Sequence, residues 1–342
     1  MSPRAVILGC AGPDLTADER AFFRDSDPLG FILFARNIDT PERGRRLTEE
    51  LRSCTGRAET PVLIDQEGGR VARLRPPHWR KAPPARLLGE LYAHDQEKGL
   101  EATRLNSRLL AADVASIGCD VDCLPVLDIA FPGTHAVIGD RAYAGAPEPV
   151  AALGRAAADG LLAEGVMPVI KHIPGHGRTL VDSHHDLPRV EASRAELERT
   201  DFLPFRLLSD LPWAMTAHIL YTAIDPGRAL TVSAGGVKDV VRGHIGFDGL
   251  LLSDDLSMQA LGGTLGERAA RSLAAGCDIA LHCNGKMDEM REVVANTEAM
   301  SAAAVRRFEA GRSFLKRHRD PAGAAGLADV KKRLAALLPD WG

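Results

Sequence analysis

Two short segments concentrate the side chains able to do chemistry. The first reads Lys171-His172-Ile173-Pro174-Gly175-His176-Gly177 and resumes as Asp182-Ser183-His184-His185-Asp186. Imidazole titrates near neutrality and a carboxylate orients it, so Asp182 and His184, two residues apart on a loop, suit general acid–base catalysis. His172, His176, Asp182, His184 and His185 are also competent metal ligands. Pro174 and the glycines, however, prevent the helical i, i+4 presentation of a zinc-protease site. A plain loop whose histidines satisfy backbone groups is the third possibility. The second segment is Leu250-Leu251-Leu252-Ser253-Asp254-Asp255-Leu256-Ser257-Met258. A carboxylate at the end of a buried strand is held rigidly, as a carboxylate nucleophile requires. Asp254 fits that position, and Asp255 better suits the N-cap of the following turn. Asp65 also follows an apolar run; it either joins such a site or pairs with Arg70 or Arg73.

The elements that must position these groups recur along the chain. Eight short apolar runs, Ala5–Gly9, Gly30–Phe34, Pro61–Ile64, Asp120–Leu127, Val166–Ile170, Trp213–Ala217, Gly249–Leu252 and Cys277–Leu281, are continuous rather than alternating. That is the pattern of parallel strands covered on both faces. Between them lie stretches of helical periodicity, including Pro41–Cys54, Leu100–Ile117, Pro147–Glu164, Arg194–Ser209 and Leu265–Ala275. Thr40 and Ser193 stand where N-caps belong, with Glu196 at a capping-box position. Gly118, Gly165 and Gly276 stand where helices end. The expected fold is a single-domain α/β TIM barrel, (β/α)₈, spanning residues 1–342, with the barrel over about 4–300 and terminal helices over about 301–342. A doubly wound sheet is the runner-up, but no GxGxxG follows any strand. Barrel sites form at the C-terminal ends of the strands. There the runs end in Arg36-Asn37, Asp65-Gln66-Glu67, Asp128, Lys171-His172, His218, Asp254-Asp255, and His282 with Asn284. Such a mixture of acids, bases and donors suits a neutral, hydroxyl-rich ligand better than a phosphate, which would want a glycine-rich turn at a helix N-terminus.

Bulk properties exclude several classes. Forty-two basic residues against 46 acidic ones give a net charge of −4, and only 5% of residues are aromatic. Neither supports a nucleic-acid surface. No apolar stretch approaches the roughly 20 residues that span a bilayer. Ile7-Leu8-Gly9-Cys10 loosely resembles a lipoprotein cleavage site, but the preceding apolar run is shorter than the roughly 7–15 residues of a secretory segment. Six cysteines without a CxxC pair suit a reduced, cytoplasmic setting.

Five segments in one order resemble glycoside hydrolase family 3, and within it the bacterial cytoplasmic β-N-acetylhexosaminidases of cell-wall recycling. They are Asp65-Gln66-Glu67-Gly68-Gly69-Arg70-Val71, Ile138-Gly139-Asp140-Arg141-Ala142-Tyr143, Lys171 to Gly177, Asp182-Ser183-His184, and Ser253 to Met258. The resemblance implies that Asp254 is the nucleophile and His184 the acid/base, paired with Asp182. It implies that Asp65, Arg73, Arg141, Lys171 and His172 bind the sugar. No metal or organic cofactor is implied, and the partner is a small carbohydrate, a muropeptide carrying N-acetylglucosamine on 1,6-anhydro-N-acetylmuramic acid. Monomeric action is the expectation. Departures from the family pattern are small: Ile173 where phenylalanine is commoner, Asp140 where glutamate is common, and His185 after the dyad. A β-glucosidase, an N-acetylglucosamine phosphorylase and a metal-dependent hydrolase built on the histidine loop remain rivals. The loop Arg75–Pro84 either contacts the second sugar or is plain surface.

Overall fold

The computed structural model describes residues 2–133, 138–179, 187–320, 326–339 and 341. Eight parallel strands close into a barrel: β1 (Arg4–Leu8), β2 (Pro28–Leu33), β3 (Val62–Ile64), β4 (Val121–Asp122), β5 (Met167–Ile173), β6 (Trp213–Thr216), β7 (Leu250–Asp255) and β8 (Ile279–His282). Each strand pairs with its neighbours in sequence, and β1 closes on β8 with Val6 opposite Ala280 and Leu8 opposite His282.

The continuous apolar runs are explained by two separate burials. Ile7, Leu29, Leu63, Val121, Met167, Met215, Leu250 and Ile279 share one buried cluster that draws on every strand; only a barrel interior can be shared in that way. Their chain neighbours Val6, Leu8, Val62, Ile64 and Ala280 belong to a second cluster that includes helix residues such as Leu47, Leu51 and Leu110. Each strand therefore buries side chains on both faces, worth roughly 1.5–3 kcal/mol per large aliphatic group.

Local signals act largely as expected. Thr40 caps the helix Pro41–Thr55 by accepting from the Arg43 N–H, and Asp95 caps Gln96–Ser116 through the Lys98 N–H, which starts that helix earlier than Leu100. Gly118, Gly165 and Gly276 carry φ of 80°, 81° and 113° at helix ends. Three expectations need correction. Arg194–Ser209 is not one helix but two pieces, Arg194–Arg199 and Leu203–Leu207, because Pro204 has no N–H to continue the ladder. Ser193 does accept from the Glu196 N–H, but the Glu196 carboxylate pairs with Arg178 at 2.7 Å instead of closing a capping box. Finally, β4 holds only two residues; Pro125, just beyond, removes a ladder donor.

Helices Ala302–His318 and Leu327–Leu337 follow the barrel. Among the described residues, no helix is long and apolar enough to cross a membrane.

Candidate active site

The strand ends expected to carry chemistry meet at one rim. Lys171 and His172 lie within β5 and Asp254 within β7, so the barrel ladder itself fixes them. The Lys171 ammonium is buried and donates to Asp65 at 2.8 Å and to Glu67 at 2.7 Å. Arg73 donates to the other Asp65 oxygen at 3.0 Å. Arg141 reaches Glu67 with two parallel bonds of 2.9 and 2.8 Å, the fork geometry in which guanidinium and carboxylate match best. Three cations thus surround two anions.

Burial alone would raise the pKa of Asp65, but Lys171 and then Arg73 outweigh it and hold this carboxyl far below its usual range. Against the same burial, Arg141 and Lys171 pull Glu67 down to about 2. Burial in turn would lower Lys171, yet Asp65 and Glu67 raise it above the usual lysine value. All three groups are therefore charged at neutral pH, the state in which they make the strongest hydrogen bonds to a neutral polar ligand.

The loop after β3 is held by the fully buried Gln66. Its N–H donates to Asp122 at 2.9 Å, and its side-chain oxygen accepts from the N–H groups of Arg73 and Leu74 at 2.8 and 3.0 Å. The guanidiniums of Arg36 and Arg73 lie 5.0 and 5.1 Å from the centre of the Phe34 ring, which serves both as a cation–π platform.

At the β4–β5 side, Asp128 is wholly buried. One of its oxygens lies 2.6 Å from His172 Nδ1, and the other accepts from the N–H groups of His176 at 2.6 Å and His172 at 3.2 Å. The two imidazoles meet edge to face, centroids 5.4 Å apart. Gly177 follows, where an added Cβ would lie 1.9 Å from the Ile129 carbonyl oxygen, so only glycine fits this close approach. Burial and then His172 push His176 down to about 4, against the pull of Asp128 and Asp254.

Asp254 is half-buried. Its N–H donates to Thr216 Oγ1 at 3.3 Å, and its Oδ1 accepts the Asp255 N–H at 2.8 Å. Burial would raise this carboxyl; His172, then His218, the Asp255 N–H and His176 together hold it below the ordinary aspartate value. His218 is completely buried, with Nδ1 2.7 Å from Thr231 Oγ1 and Nε2 3.1 Å from the Asp255 carbonyl oxygen. Because that carbonyl only accepts, Nε2 carries the proton. The result is an ionised, rigidly seated carboxylate at the barrel mouth.

Asp254, Asp65, Arg73, Arg141, Lys171 and His172 are thus brought to one rim. Asp182 and His184 lie outside the described residues. Among the described residues, no group of three or more His, Cys, Asp and Glu side chains is placed to hold a metal ion. The sequence places Glu67, Asp128 and His218 at strand ends and His176 among competent metal ligands, but it gives none of the four a defined role. Glu67 and Asp128 carried a usable signal, an acid three positions and one position past an apolar run, but which cation each would meet depends on loops far apart in the chain.

Residues 13–309 match the model of the glycosyl hydrolase family 3 N-terminal domain. The β-hexosaminidase of Chromobacterium violaceum is 42% identical over 288 residues, 82% of this chain and 78% of that protein. That of Alkalilimnicola ehrlichii is 39% identical over 283 residues, 82% and 80% of the two chains. The crystal structure of NagZ from Neisseria gonorrhoeae, in complex with N-trifluoroacetyl-D-glucosamine, superposes with a TM-score of 0.87 at 32% identity, covering 98% of each chain. The chain belongs to glycosyl hydrolase family 3. It is an enzyme, a glycoside hydrolase of the β-hexosaminidase type.

Proposed function

We propose that this enzyme is a retaining exo-glycosidase that removes terminal β-linked N-acetylglucosamine, acting in the cytoplasm on muropeptides that carry this sugar on 1,6-anhydro-N-acetylmuramic acid. Asp254 attacks the anomeric carbon while His184, as imidazolium oriented by Asp182, protonates the departing glycosidic oxygen. Water activated by the now neutral His184 then hydrolyses the glycosyl-aspartate, so configuration is retained. Asp65, Arg73, Arg141, Lys171 and His172 hold the sugar, which their fixed charges orient through its hydroxyl groups.

The observation that carries this proposal is the state of Asp254. It is seated at the end of β7 by the Thr216 hydroxyl and the Asp255 N–H and kept ionised by His172 and His218, as an attacking carboxylate must be. The N-trifluoroacetyl-D-glucosamine bound in the Neisseria gonorrhoeae structure, an N-acylated glucosamine, supports the choice of sugar.

The test is hydrolysis of p-nitrophenyl N-acetyl-β-glucosaminide beside the plain β-glucoside, each with EDTA and with phosphate. Release only from the acetamido sugar, indifferent to both additives, is expected. Chelator sensitivity would move the histidine loop to a metal site, and preference for the plain glucoside would overturn the substrate. Phosphate dependence would make the enzyme a phosphorylase.

A further inference from the structure

The Asp128–His172 contact has the geometry of an orienting pair, although neither the sugar chemistry nor the nucleophile requires Asp128 to touch the substrate. Asp128 is fully buried, and its two oxygens are divided between tasks. One meets His172 Nδ1 at 2.6 Å; the other ties down the backbone N–H groups of His172 and His176, so that the turn between these residues closes around a single carboxylate. The Gly175 N–H donates to the His172 carbonyl at 2.7 Å and the Tyr221 hydroxyl donates to the Gly175 carbonyl at 2.5 Å, which fixes the far side of the same turn. No hydrogen bond among the described residues engages His172 Nε2.

We infer that Asp128 is a positioning residue: it holds His172 protonated at Nδ1, so that Nε2 is the atom offered to a hydroxyl of the bound sugar. The physical reason is that an ionised carboxylate only accepts. A nitrogen 2.6 Å from it must therefore carry the proton. The ring can then neither rotate nor exchange tautomer without breaking a charge-assisted bond. Asp128→Asn preserves the shape but lets the carboxamide donate to an unprotonated Nδ1, which stabilises the opposite tautomer and places Nε2–H against the sugar. This inference rests on the proposal that His172 contacts the sugar, and the experiment separates the two.

The measurement is kcat/KM on p-nitrophenyl N-acetyl-β-glucosaminide and its 3-, 4- and 6-deoxy counterparts, for the wild type, His172→Ala and Asp128→Asn. The wild type should lose rate with one deoxy sugar above the others. In His172→Ala and Asp128→Asn alike, the parent substrate should lose about 10- to 100-fold, the cost of leaving a buried polar group without its partner, and the penalty for that deoxy sugar should vanish in His172→Ala and shrink in Asp128→Asn. A folded Asp128→Asn enzyme that keeps the full deoxy penalty, beside a His172→Ala enzyme that has lost it, overturns the positioning role alone. If His172→Ala itself keeps the penalty, the sugar contact falls and the inference falls with it. A second readout does not depend on how the variant folds. In ¹⁵N-labelled wild-type enzyme, with His172 assigned by comparison with His172→Gln, Nδ1 of this ring should carry a proton; an unprotonated Nδ1 overturns the inference.

Discussion

Glu67 grips Arg141 with both carboxylate oxygens, at 2.8 and 2.9 Å, and shares one of them with Lys171 at 2.7 Å. The Glu67 and Lys171 side chains are only 4% and 2% exposed. Two cations that the family resemblance implies are direct sugar ligands are therefore held first by one acid from a different loop. The site is preorganised before any substrate arrives, so binding does not have to supply the ordering.

Glu67→Gln should accordingly cost stability as well as binding. Removing one partner leaves the buried Arg141 and Lys171 charges undercompensated, for which about 3–5 kcal/mol is typical. Urea denaturation should show a lower midpoint with an unchanged slope, and KM should rise more than kcat falls. A variant with wild-type stability and KM would show that Arg141 and Lys171 are held by other means.

His176 gives the enzyme a pH-dependent stability of defined sign. Burial, with His172 adding to it, depresses its folded value from 6.5 to about 4. Between these values the unfolded chain binds the extra proton and the folded one does not, so stability falls as pH drops from 6.5 toward 4. The slope from this one group approaches about 1.4 kcal/mol per pH unit. Chemical denaturation of His176→Gln across that window should show a shallower slope than the wild type, and equal slopes would remove His176 as the cause. Glu67 adds a further loss of stability at lower pH, between its ordinary 4.5 and about 2.

His184 is expected to carry the proton to the leaving group, so its loss should depend on the aglycone. His184→Ala should slow substrates with poor leaving groups by about 10²–10⁴-fold, and activated aryl glycosides far less. Kinetics on a series of aryl N-acetylglucosaminides of rising leaving-group pKa will show this as a steeper dependence than in the wild type. Parallel lines would end the proton-carrier role.

The barrel was legible because its signals are local and repeated. Each apolar run from Ala5–Gly9 to Cys277–Leu281 became a strand, since a strand buried on both faces needs no alternation. Glycines at helix ends were equally readable. Less legible was whatever depended on partners distant in sequence: Arg178 drawing Glu196 away from the Ser193 cap, or Pro204 splitting a helix whose apolar period continues through it. The same holds in the site. Asp254, Asp65 and Lys171 stand at strand ends and announce themselves. Asp128 and Glu67 stand there too, but their roles come from pairing with His172 and Arg141, 44 and 74 residues away in the chain. Asp182 and His184 lie outside the described residues, so their pairing rests on the family resemblance and on the kinetics above.

The most direct test of the mechanism is to trap the sugar on the enzyme. A 5-fluoro-N-acetylglucosaminyl fluoride slows both chemical steps through its electron-poor ring, while its good leaving group keeps the first step the faster. Mass spectrometry of the quenched, digested enzyme should find one glycosyl group on the peptide containing Asp254 and none in Asp254→Asn, which should also be inactive on every substrate. A label on another carboxylate would contradict the assignment of Asp254, and turnover without any label, with an inverted product, would contradict the covalent route itself.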